Sequence, residues 1–214
     1  MVREKHIANN REVYDLYELN IEDIQGKDPM SVLKTWVEFA MENNALEPTA
    51  FSLATSSISG DPNVRTVLLK DFWEGKPVFY TNYHSQKGQE IKANPKVGVN
   101  FFWPQLQRQV RIKGTVIKVP TELSDAYFAS RPLQSQAGAA ASPQSQVIDG
   151  KEALLNKELE LLNQKIITRP ANWGGYAIDA NYVEFWQGRP SRLHDRVVVE
   201  KVNGSWDKAK RLAP

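Results

Sequence analysis

The chain has 214 residues, of which 41% are hydrophobic and 24% charged, a formal net charge of +2 and no cysteine. These values are typical of a soluble globular protein with one large domain. The lack of cysteine excludes disulfides, thiolate nucleophiles and cysteine-bound zinc, and the small net charge is weak evidence for nucleic-acid binding. The sequence has neither a signal-type apolar stretch at its start nor about 18 consecutive apolar residues, so we expect a cytoplasmic protein.

The first part of the chain predicts one helix followed by short strands. Asp28-Pro29 is typical of a helix start, and "MSVLKTWVEFAMENN" has apolar residues at helical spacing. The segment "FSLATSSISGDPNVRTVLLKDF" then predicts a strand, a turn and a strand, and "PVFYTN" predicts a third strand. We expect residues 1–27 to form an N-terminal arm and residues 28–214 to form a single domain.

The middle of the chain combines a short helix with two alternating strands. Ser85 is a suitable N-cap for a helix in "HSQKGQEIKANP". The segments "KVGVNFFW" and "RQVRIKGTVIKV" predict two strands joined by a tight turn at Pro104. In the second strand, Val110, Ile112 and Val116 alternate with polar residues, which indicates a half-buried antiparallel strand.

The last part of the chain predicts helices and then further strands. A helix follows Thr121 and ends at Arg131, and residues 133–150 are expected to form a loop or a weak helix. Asp149 and Glu152 resemble a capping box, and residues 173–202 predict at least three strands. The many short strands predict a mainly β protein with α additions, an antiparallel barrel with peripheral helices instead of a doubly wound sheet.

Basic residues recur at strand ends and at the starts of helices, where phosphate groups are commonly bound. Arg65 and Lys70 lie in "RTVLLK", Lys87 lies in the first turn of its helix, and Arg131 lies in "SRPLQS". Arginine gives bidentate hydrogen bonds and a helix N-terminus gives free N–H groups, although each such residue alone is more often a solvated surface charge. Arg65 and Lys70 have opposite parity, so they would face opposite ways unless a bulge or a strand end intervenes.

The segment "EFWQGRPSRLHDR" places one of three histidines between two arginines. If it is a strand, Arg192, His194 and Arg196 share one face, which is either a solvated edge or an anion site. His194 suits a general base, a hydrogen-bond donor or a structural role, and no neighbouring histidine supports a metal site. The Walker, dinucleotide-binding and nucleophile-elbow motifs are absent, and Gly174-Gly175 indicates a close backbone approach within a strand.

Eight segments of the sequence, taken together and in order, indicate a protein family much more specifically than any one segment does. They are "RTVLLK", "FYTN" followed by "SQK", "FFWPQLQRQVRIKG", "YFASRPLQSQAGA", "SPQSQ", "NWGGY", "EFWQGRPSRLHDR" and the terminal "RLAP". In this order they resemble the pyridoxine/pyridoxamine 5′-phosphate oxidase family of FMN enzymes. The resemblance implies a split β-barrel, a homodimer with FMN at the subunit interface, and oxidation of pyridoxamine 5′-phosphate and pyridoxine 5′-phosphate to pyridoxal 5′-phosphate.

The resemblance also implies which residues bind the cofactor and the substrate. The implied FMN contacts are Arg65, Thr66, Val67, Leu68, Leu69, Lys70, Tyr80, Thr81, Gln86, Lys87, Gln109, Gln144, Ser145, Trp186 and Arg196. The implied substrate-phosphate contacts are Lys70, Tyr127, Arg131 and Ser135. Arg192 and His194 would hold the substrate ring as the catalytic pair, and Arg11 and Tyr14 would close over it.

The resemblance implies that a hydride passes from substrate C4′ to flavin N5. O2 then reoxidises the flavin and is released as H2O2, and the amine substrate also releases ammonia. Two positions depart from the family pattern. Gln86 stands where the family commonly has an Arg. The loss of one charged hydrogen bond to the FMN phosphate weakens FMN binding roughly ten- to a hundredfold. Ala140 stands where the family often has a Trp, so the side chain in the loop before Gln144 is smaller. The alternatives are a related split-barrel oxidase or reductase that acts on another ring, and a non-catalytic module that binds FMN or pyridoxal phosphate.

Overall fold

The computed structural model describes residues 12–164 and 166–214. The helices of this part are α1 (Pro29–Glu42), α2 (Gln86–Ala93), α3 (Thr121–Ser130), α4 (Leu133–Ala141) and α5 (Lys151–Leu162). The strands are β1 (Ala50–Ser56), β2 (Pro62–Leu68), β3 (Asp71–Trp73), β4 (Lys76–Asn82), β5 (Lys96–Trp103), β6 (Arg108–Lys118), β7 (Trp173–Gln187), β8 (Asp195–Val202), β9 (Ser205–Trp206) and β10 (Lys210–Arg211). No helix within the described ranges is long and apolar enough to cross a membrane.

The chain divides into two compact units. The first unit contains residues up to Pro48 together with Asn100–Arg111 and Tyr182–Pro214, and the second contains Thr49–Val99 and Ile112–Asn181. The strands β5, β6 and β7 therefore contribute residues to both units. The predicted mainly β architecture with additional helices is confirmed.

The second unit is built around two hairpins and the first part of β7. Strand β1 pairs antiparallel with β2, β3 with β4, and β4 with β7. In its core the rings of Phe51 and Phe79 pack edge to face with centroids 6.0 Å apart. Along β6, Ile112 and Val116 are buried while Lys113 is exposed, as the alternation in the sequence predicts.

Two glycines at the start of β7 let other side chains approach its backbone. A Cβ atom on Gly174 would lie 2.2 Å from the Tyr83 hydroxyl, and one on Gly175 would lie 2.7 Å from Val119 and 2.8 Å from the Tyr80 ring. Real Cβ atoms do not tolerate such distances, so these positions need glycine. The predicted close approach at Gly174-Gly175 is confirmed.

The first unit packs α1 against the last part of β7. The helix begins as predicted, because the Asp28 carboxylate accepts a 2.9 Å hydrogen bond from the Ser31 N–H and Pro29 occupies the first turn. Its buried face includes Trp36, whose ring meets that of Phe185 edge to face at 5.2 Å. Strand β8 pairs antiparallel with β7, with β9 and with β10.

A half-buried arginine, Arg108, fixes the segment that precedes α1. The guanidinium of Arg108 lies 4.8, 4.6 and 4.8 Å from the ring centroids of Tyr17, Trp36 and Phe39, respectively. Such cation–π contacts are strongest where water is excluded. Gln107 accepts a 3.2 Å hydrogen bond from the Leu16 N–H. Residues 13–17 are therefore fixed to the turn between β5 and β6, since Gln107 also donates to the Val13 carbonyl at 3.3 Å, and this positions Tyr14 for the site described below.

Three local predictions about helices and strands differ from the structure. Helix α5 begins at Lys151 with Gly150 as its N-cap residue, so the capping box of Asp149 and Glu152 does not form. Residues 173–202 contain two strands instead of at least three, because β7 continues for 15 residues. Residues 133–141, expected to be loop or weak helix, form the regular helix α4.

The predicted strand face of Arg192, His194 and Arg196 is also wrong. Residues 190–192 form a single 3-10 turn in which Ser191 and Arg192 have φ angles of +57° and +62°. Strand β8 begins only at Asp195. Pro190 lies at the start of this turn, and the left-handed residues after it break the alternation of side chains, so only Arg196 lies in the strand.

Candidate active site

A cavity of about 680 Å³ in the second unit, here called the cationic cavity, collects most of the basic residues that the sequence singles out. Its volume is within the usual range for small-molecule sites. The predicted residues that line it are Arg65, Thr66, Val67, Leu68, Lys70, Tyr80, Thr81, Lys87, Tyr127, Arg131, Ser135 and Gln144. Asn82 and Trp173 also line it, although the sequence did not assign them to a site.

Arg65 and Lys70 line the same cavity because a strand end lies between them. Strand β2 ends at Leu68. Beyond it, the N–H of Lys70 donates a 2.9 Å hydrogen bond to the carbonyl of Val78, so Lys70 no longer follows the alternation of β2. The difference in parity between the two basic residues therefore does not separate them.

Lys87 is a buried cation whose hydrogen-bond partners are neutral. Its residue is only 8% exposed, and Nζ lies 3.2 Å from Thr81 Oγ1, 3.3 Å from Ser85 Oγ and 3.2 Å from Gln144 Oε1. Burial, followed by the charge of Arg65, lowers the pKa of Lys87 below its ordinary 10.5. An anion at this point would restore the stability of the charged form.

Ser85 connects this lysine to the local fold. As predicted, it is the N-cap of α2, and its hydroxyl accepts from the Gly88 N–H. Lys87 therefore lies in the first turn of a helix, where the free N–H groups favour an anionic ligand and disfavour a cation. A basic side chain in this place indicates a ligand-binding role more than a stabilising one.

Arg65 has a different environment because a carboxylate fixes it. Its NH2 atom lies 3.3 Å from Glu90 Oε2, and its NH1 atom donates to the Leu53 carbonyl at 3.2 Å and to the Thr55 hydroxyl. Asn63 donates to the other oxygen of Glu90 at 2.6 Å. These bonds hold the guanidinium at the cavity wall without neutralising Lys87.

Three aromatic rings form a stack along one side of the cationic cavity. The rings of Tyr80 and Tyr127 lie 4.0 Å apart at an interplanar angle of 17°, and those of Tyr80 and Trp173 lie 5.5 Å apart at 11°. Burial raises the pKa of Tyr80 to about 12, with smaller contributions from Asp71, Tyr127 and Tyr83. Its hydroxyl therefore stays protonated at neutral pH and remains a hydrogen-bond donor.

Arg131 lines this cavity, and one of its donor atoms is unsatisfied. Its guanidinium lies 5.0 Å from the Trp173 ring centroid, and its NH1 atom is buried with no hydrogen-bond partner among the described residues. Burial lowers the pKa of Arg131, but an arginine remains charged at neutral pH. A buried unpaired donor costs about 1–3 kcal/mol, so an acceptor from a ligand at this point is strongly favoured.

A second cavity, of about 580 Å³, lies in the first unit and is here called the His194 cavity. Tyr14, Arg189, Arg192 and His194 line it. The His194 ring lies 4.7 Å from Trp186 and 5.9 Å from Tyr14 between centroids. Arg11, which the sequence paired with Tyr14, lies outside the described residues.

The hydrogen bonds of His194 determine its tautomer. Nδ1 accepts a 3.1 Å hydrogen bond from the Arg189 N–H, which leaves the proton of the neutral ring on Nε2. Partial burial and then the charge of Arg192 lower the pKa of His194 below 6.5, while Asp195 opposes the shift. The ring is therefore neutral at pH 7 and offers one N–H donor.

Arg196 is bound to a buried carboxylate. The Glu184 side chain is 1% exposed and accepts from Arg196 Nε at 2.8 Å and from Arg111 NH1 at 3.2 Å. The Tyr182 hydroxyl donates to it at 2.7 Å. Arg196 NH1 also donates to the Ala213 carbonyl at 2.7 Å, so the C-terminal segment holds the same guanidinium.

Comparisons with known proteins connect this geometry to one family. Residues 38–163 match the family model described as pyridoxamine 5′-phosphate oxidase, and residues 173–214 match the one described as the pyridoxine 5′-phosphate oxidase C-terminal dimerisation region. The pyridoxine/pyridoxamine 5′-phosphate oxidase of Leptospira interrogans is 48% identical over 97% of this chain and 98% of that protein. The chain belongs to the pyridoxamine 5′-phosphate oxidase family.

One further curated relative and two solved structures are also similar to this chain. The pyridoxine/pyridoxamine 5′-phosphate oxidase of Legionella pneumophila is 44% identical over 100% of both chains. PhzG from Burkholderia lata, solved with tetrahydrophenazine-1-carboxylic acid, has a TM-score of 0.88 at 26% identity and covers 95% of this chain and 100% of its own. An FMN-binding protein from Nostoc punctiforme has a TM-score of 0.72 at 16% identity, with coverages of 88% and 100%. The predicted antiparallel split β-barrel fold is confirmed.

The other residues implied by the family resemblance lie at different places. Leu69 is buried, Gln86 is exposed at the start of α2, and Gln109 is half-buried in β6. Ser145 is exposed with a φ angle of +70°. Their binding roles stay predictions. Among the described residues, no group of three histidine, aspartate or glutamate side chains is placed to hold a metal ion.

The sequence analysis missed Glu184, although one signal was present. Glu184 lies between Val183 and Phe185 in an apolar part of β7, and both neighbours are buried. A carboxylate on a strand that is buried on both faces is rare unless it is paired. The paired arginines come from other elements of the first unit, so the sequence alone did not identify them.

We predict that Glu184→Gln weakens the fold in a pH-dependent way. Burial raises the pKa of Glu184, but the hydrogen bonds from Arg196 and Tyr182 and the arginine charges outweigh it, so the net pKa is below 4.5. The carboxylate therefore stabilises the folded state above pH 4.5, and this contribution is lost as the pH falls through the lowered pKa. Urea unfolding at pH 7 should show a loss of about 1–3 kcal/mol.

The loss should become smaller as the pH falls below about 4.5. Glu200→Gln, at an exposed position of β8, is the matched control and should change the unfolding free energy by less than about 0.5 kcal/mol. An equal loss for Glu184→Gln at pH 7 and in acid would contradict the proposed charge pairing.

Proposed function

We propose that this chain is an FMN-dependent oxidase that converts pyridoxamine 5′-phosphate and pyridoxine 5′-phosphate to pyridoxal 5′-phosphate. O2 is the electron acceptor, H2O2 is released, and the amine substrate also gives ammonia. The observation that supports this most is the cationic cavity, which holds the buried Lys87 at one position and the unpaired Arg131 donor at another. Two separate anion-binding groups suit a cofactor and a substrate that each have a phosphate.

The lining of the cationic cavity fits a flavin mononucleotide. We assign its phosphate to Lys87, Arg65 and Gln144, because Lys87 is a buried cation and Gln144 already contacts it at 3.2 Å. The segment 65–69 and Tyr80-Thr81 offer backbone and ring surface for the flavin. Bound FMN would accept a hydride, and O2 would reoxidise the reduced flavin and give H2O2.

The substrate phosphate is assigned to Lys70, Tyr127, Arg131 and Ser135. Arg131 provides a planar pair of donors that suits a phosphate bidentately. Burial raises the pKa of Tyr127, so its hydroxyl is a donor at neutral pH. The aromatic stack beneath Arg131 keeps water from this donor, which strengthens each hydrogen bond to the phosphate.

A second copy of the chain completes the proposed site. Arg192, His194 and Arg196 belong to the first unit, and all three lie within residues 173–214, which match the dimerisation region of the family. We infer a two-fold homodimer in which the His194 cavity of one protomer faces the cationic cavity of its partner. Trp186 and Arg196 would then contact the flavin, and Arg192 and His194 the substrate ring.

The ring-binding residues orient the substrate and control its hydrogen bonds. The Nε2–H of neutral His194 donates to the ring, and Arg192 places a permanent positive charge beside it. Together they hold C4′ in a near-attack position, an effect that is worth several kcal/mol. Tyr14, which lies against Trp186 and His194, excludes water from the ring.

The proposed function predicts strong discrimination by phosphate. Without a phosphate, Lys70 and Arg131 remain unpaired, so kcat/KM for pyridoxine should be about ten-thousandfold below that for pyridoxine 5′-phosphate. Peroxide production and oxygen consumption, together with the absorption spectrum of bound flavin, measure this directly. In Arg131→Ala the phosphorylated substrate should lose most of its advantage. Equal kcat/KM with and without the phosphate would refute the proposed substrate.

The similarity to PhzG favours one alternative, an oxidase of another ring. A ring carboxylate is also an anion that Arg131 can bind. The same peroxide assay with tetrahydrophenazine-1-carboxylic acid distinguishes the two functions. A higher kcat/KM for this acid than for either phosphorylated vitamer would favour the alternative.

We predict that Arg192→Ala lowers kcat/KM by about a hundredfold or more while FMN stays bound, because the ring loses its orientation. Steady-state kinetics and the flavin content of the purified variant measure the two effects separately. Leu193→Ala, at the exposed neighbouring position, is the control and should stay within about twofold of the original rate. If Arg192→Ala loses flavin but keeps its turnover per bound flavin, the roles proposed for Arg192 and Arg196 are wrong.

The shared site predicts complementation between two inactive variants. Arg131→Ala removes the phosphate-binding arginine of the second unit. Arg192→Ala removes the ring-binding arginine of the first unit, which belongs to the partner protomer in the proposed site. Random exchange in an equal mixture makes half of the dimers mixed, and each mixed dimer has one intact site, so activity should recover to about one quarter of the original. A mixture no more active than its two components would mean that each site is completed within one chain.

A further inference from the structure

A third cavity of about 600 Å³ lies beside the cationic cavity in the second unit and is here called the adjoining cavity. The two cavities share Asn82, Ser142 and Gln144 in their linings. Gln144 accepts the 3.2 Å hydrogen bond from Lys87, so the partition lies at the lysine to which the flavin phosphate is assigned. A group attached to that phosphate would therefore enter the adjoining cavity.

The partition is made of side chains that can move without unfolding a strand or a helix. Gln144 is exposed and lies in a turn closed by a 3.0 Å hydrogen bond from the Gln146 N–H to the Pro143 carbonyl. Its contact with Thr81 is a long hydrogen bond of 3.3 Å. Rotation of exposed side chains takes nanoseconds or less, so a ligand that spans both cavities can displace Gln144.

The chemistry of the adjoining cavity suits a nucleoside monophosphate. Ile148 and Leu154 supply apolar surface for a purine ring, and Asn172 offers an amide donor and acceptor for its edge. Asp149 can accept from ribose hydroxyls, as acidic residues do in other nucleotide sites, and Lys157 provides a cation for a second phosphate. A volume of about 600 Å³ is within the range of small-molecule sites.

We propose that the adjoining cavity binds the adenosine monophosphate half of flavin adenine dinucleotide, so that this chain accepts FAD as well as FMN. The inference rests on the proposed function, because the flavin half occupies the site assigned to FMN. Small residues keep the cavity open, because Ala140 and Ala153 both line it. An indole at either position would occupy the space that the adenosine needs.

Competition between the two flavins tests this proposal without an activity assay. The full chain is equilibrated with FMN and FAD at equal concentrations, and the flavin that stays bound is separated and quantified by chromatography. The ratio of bound FAD to bound FMN equals the ratio of the two affinities. We expect at least about one FAD per ten FMN in the unmodified protein.

Two substitutions fill the adjoining cavity from different sides. Ala140→Trp and Ala153→Trp should each lower the FAD-to-FMN ratio about tenfold or more while FMN binding is kept. Ala153 is exposed on α5, so its variant remains informative if Ala140→Trp does not fold. Leu155→Trp, on the same helix at an exposed position outside the cavity lining, is the matched control and should leave the ratio within about twofold.

Two outcomes would overturn the inference. One is an unmodified protein that binds less than about one FAD per hundred FMN, and the other is a ratio that both tryptophan variants leave within about threefold. Binding of neither flavin is a different result, because it refutes the proposed function itself. Retention of FMN with no effect at positions 140 and 153 refutes the dinucleotide site alone.

Discussion

The amino group of Lys87 and a guanidinium nitrogen of Arg131 are both removed from water, and neither has an anion of this chain as its hydrogen-bond partner. Burial of a charge is costly unless a partner compensates it. The lowered pKa of Lys87 is the direct expression of this cost. The fold therefore holds two positions at which an anionic ligand gains more free energy than it would at an exposed lysine or arginine.

Elements that look purely structural keep these positions open. Ser85 caps α2 and at the same time contacts Lys87, so the helix start and the anion site are one arrangement. Gly175 lets Tyr80 pack against β7, because a side chain at that position would occupy the space of the Tyr80 ring. Tyr80 in turn stacks on Trp173, over which Arg131 lies. Loss of this packing would expose Arg131 to water and weaken the site.

The sequence predicted those parts of the structure that depend on local patterns. Ser85 and Asp28 have capping chemistry that acts within one turn, and the alternation of β6 reports burial on one face. The turn at residues 190–192 was not predictable, because Ser191 and Arg192 adopt left-handed φ angles that their residue types do not require. The capping box failed because helix α5 begins after Gly150. The pairing of Glu184 with Arg196 and Arg111 was not predictable, because the side chains of Arg111 and Glu184 come from segments far apart in the sequence.

The arginines and lysines of the site divide into two classes according to their partners. Arg65 and Arg196 are each fixed by a carboxylate, Glu90 and Glu184 respectively, so their charge is balanced within the fold. Such residues offer a ligand directed hydrogen bonds more than net charge. Lys87 and Arg131 instead offer a positive charge that no carboxylate hydrogen-bonds, and burial strengthens the attraction of this charge for an anion. In the proposed site, Lys87 and Arg131 would attract the two phosphates, and the balanced Arg196 would direct hydrogen bonds to the flavin without adding a further unpaired charge.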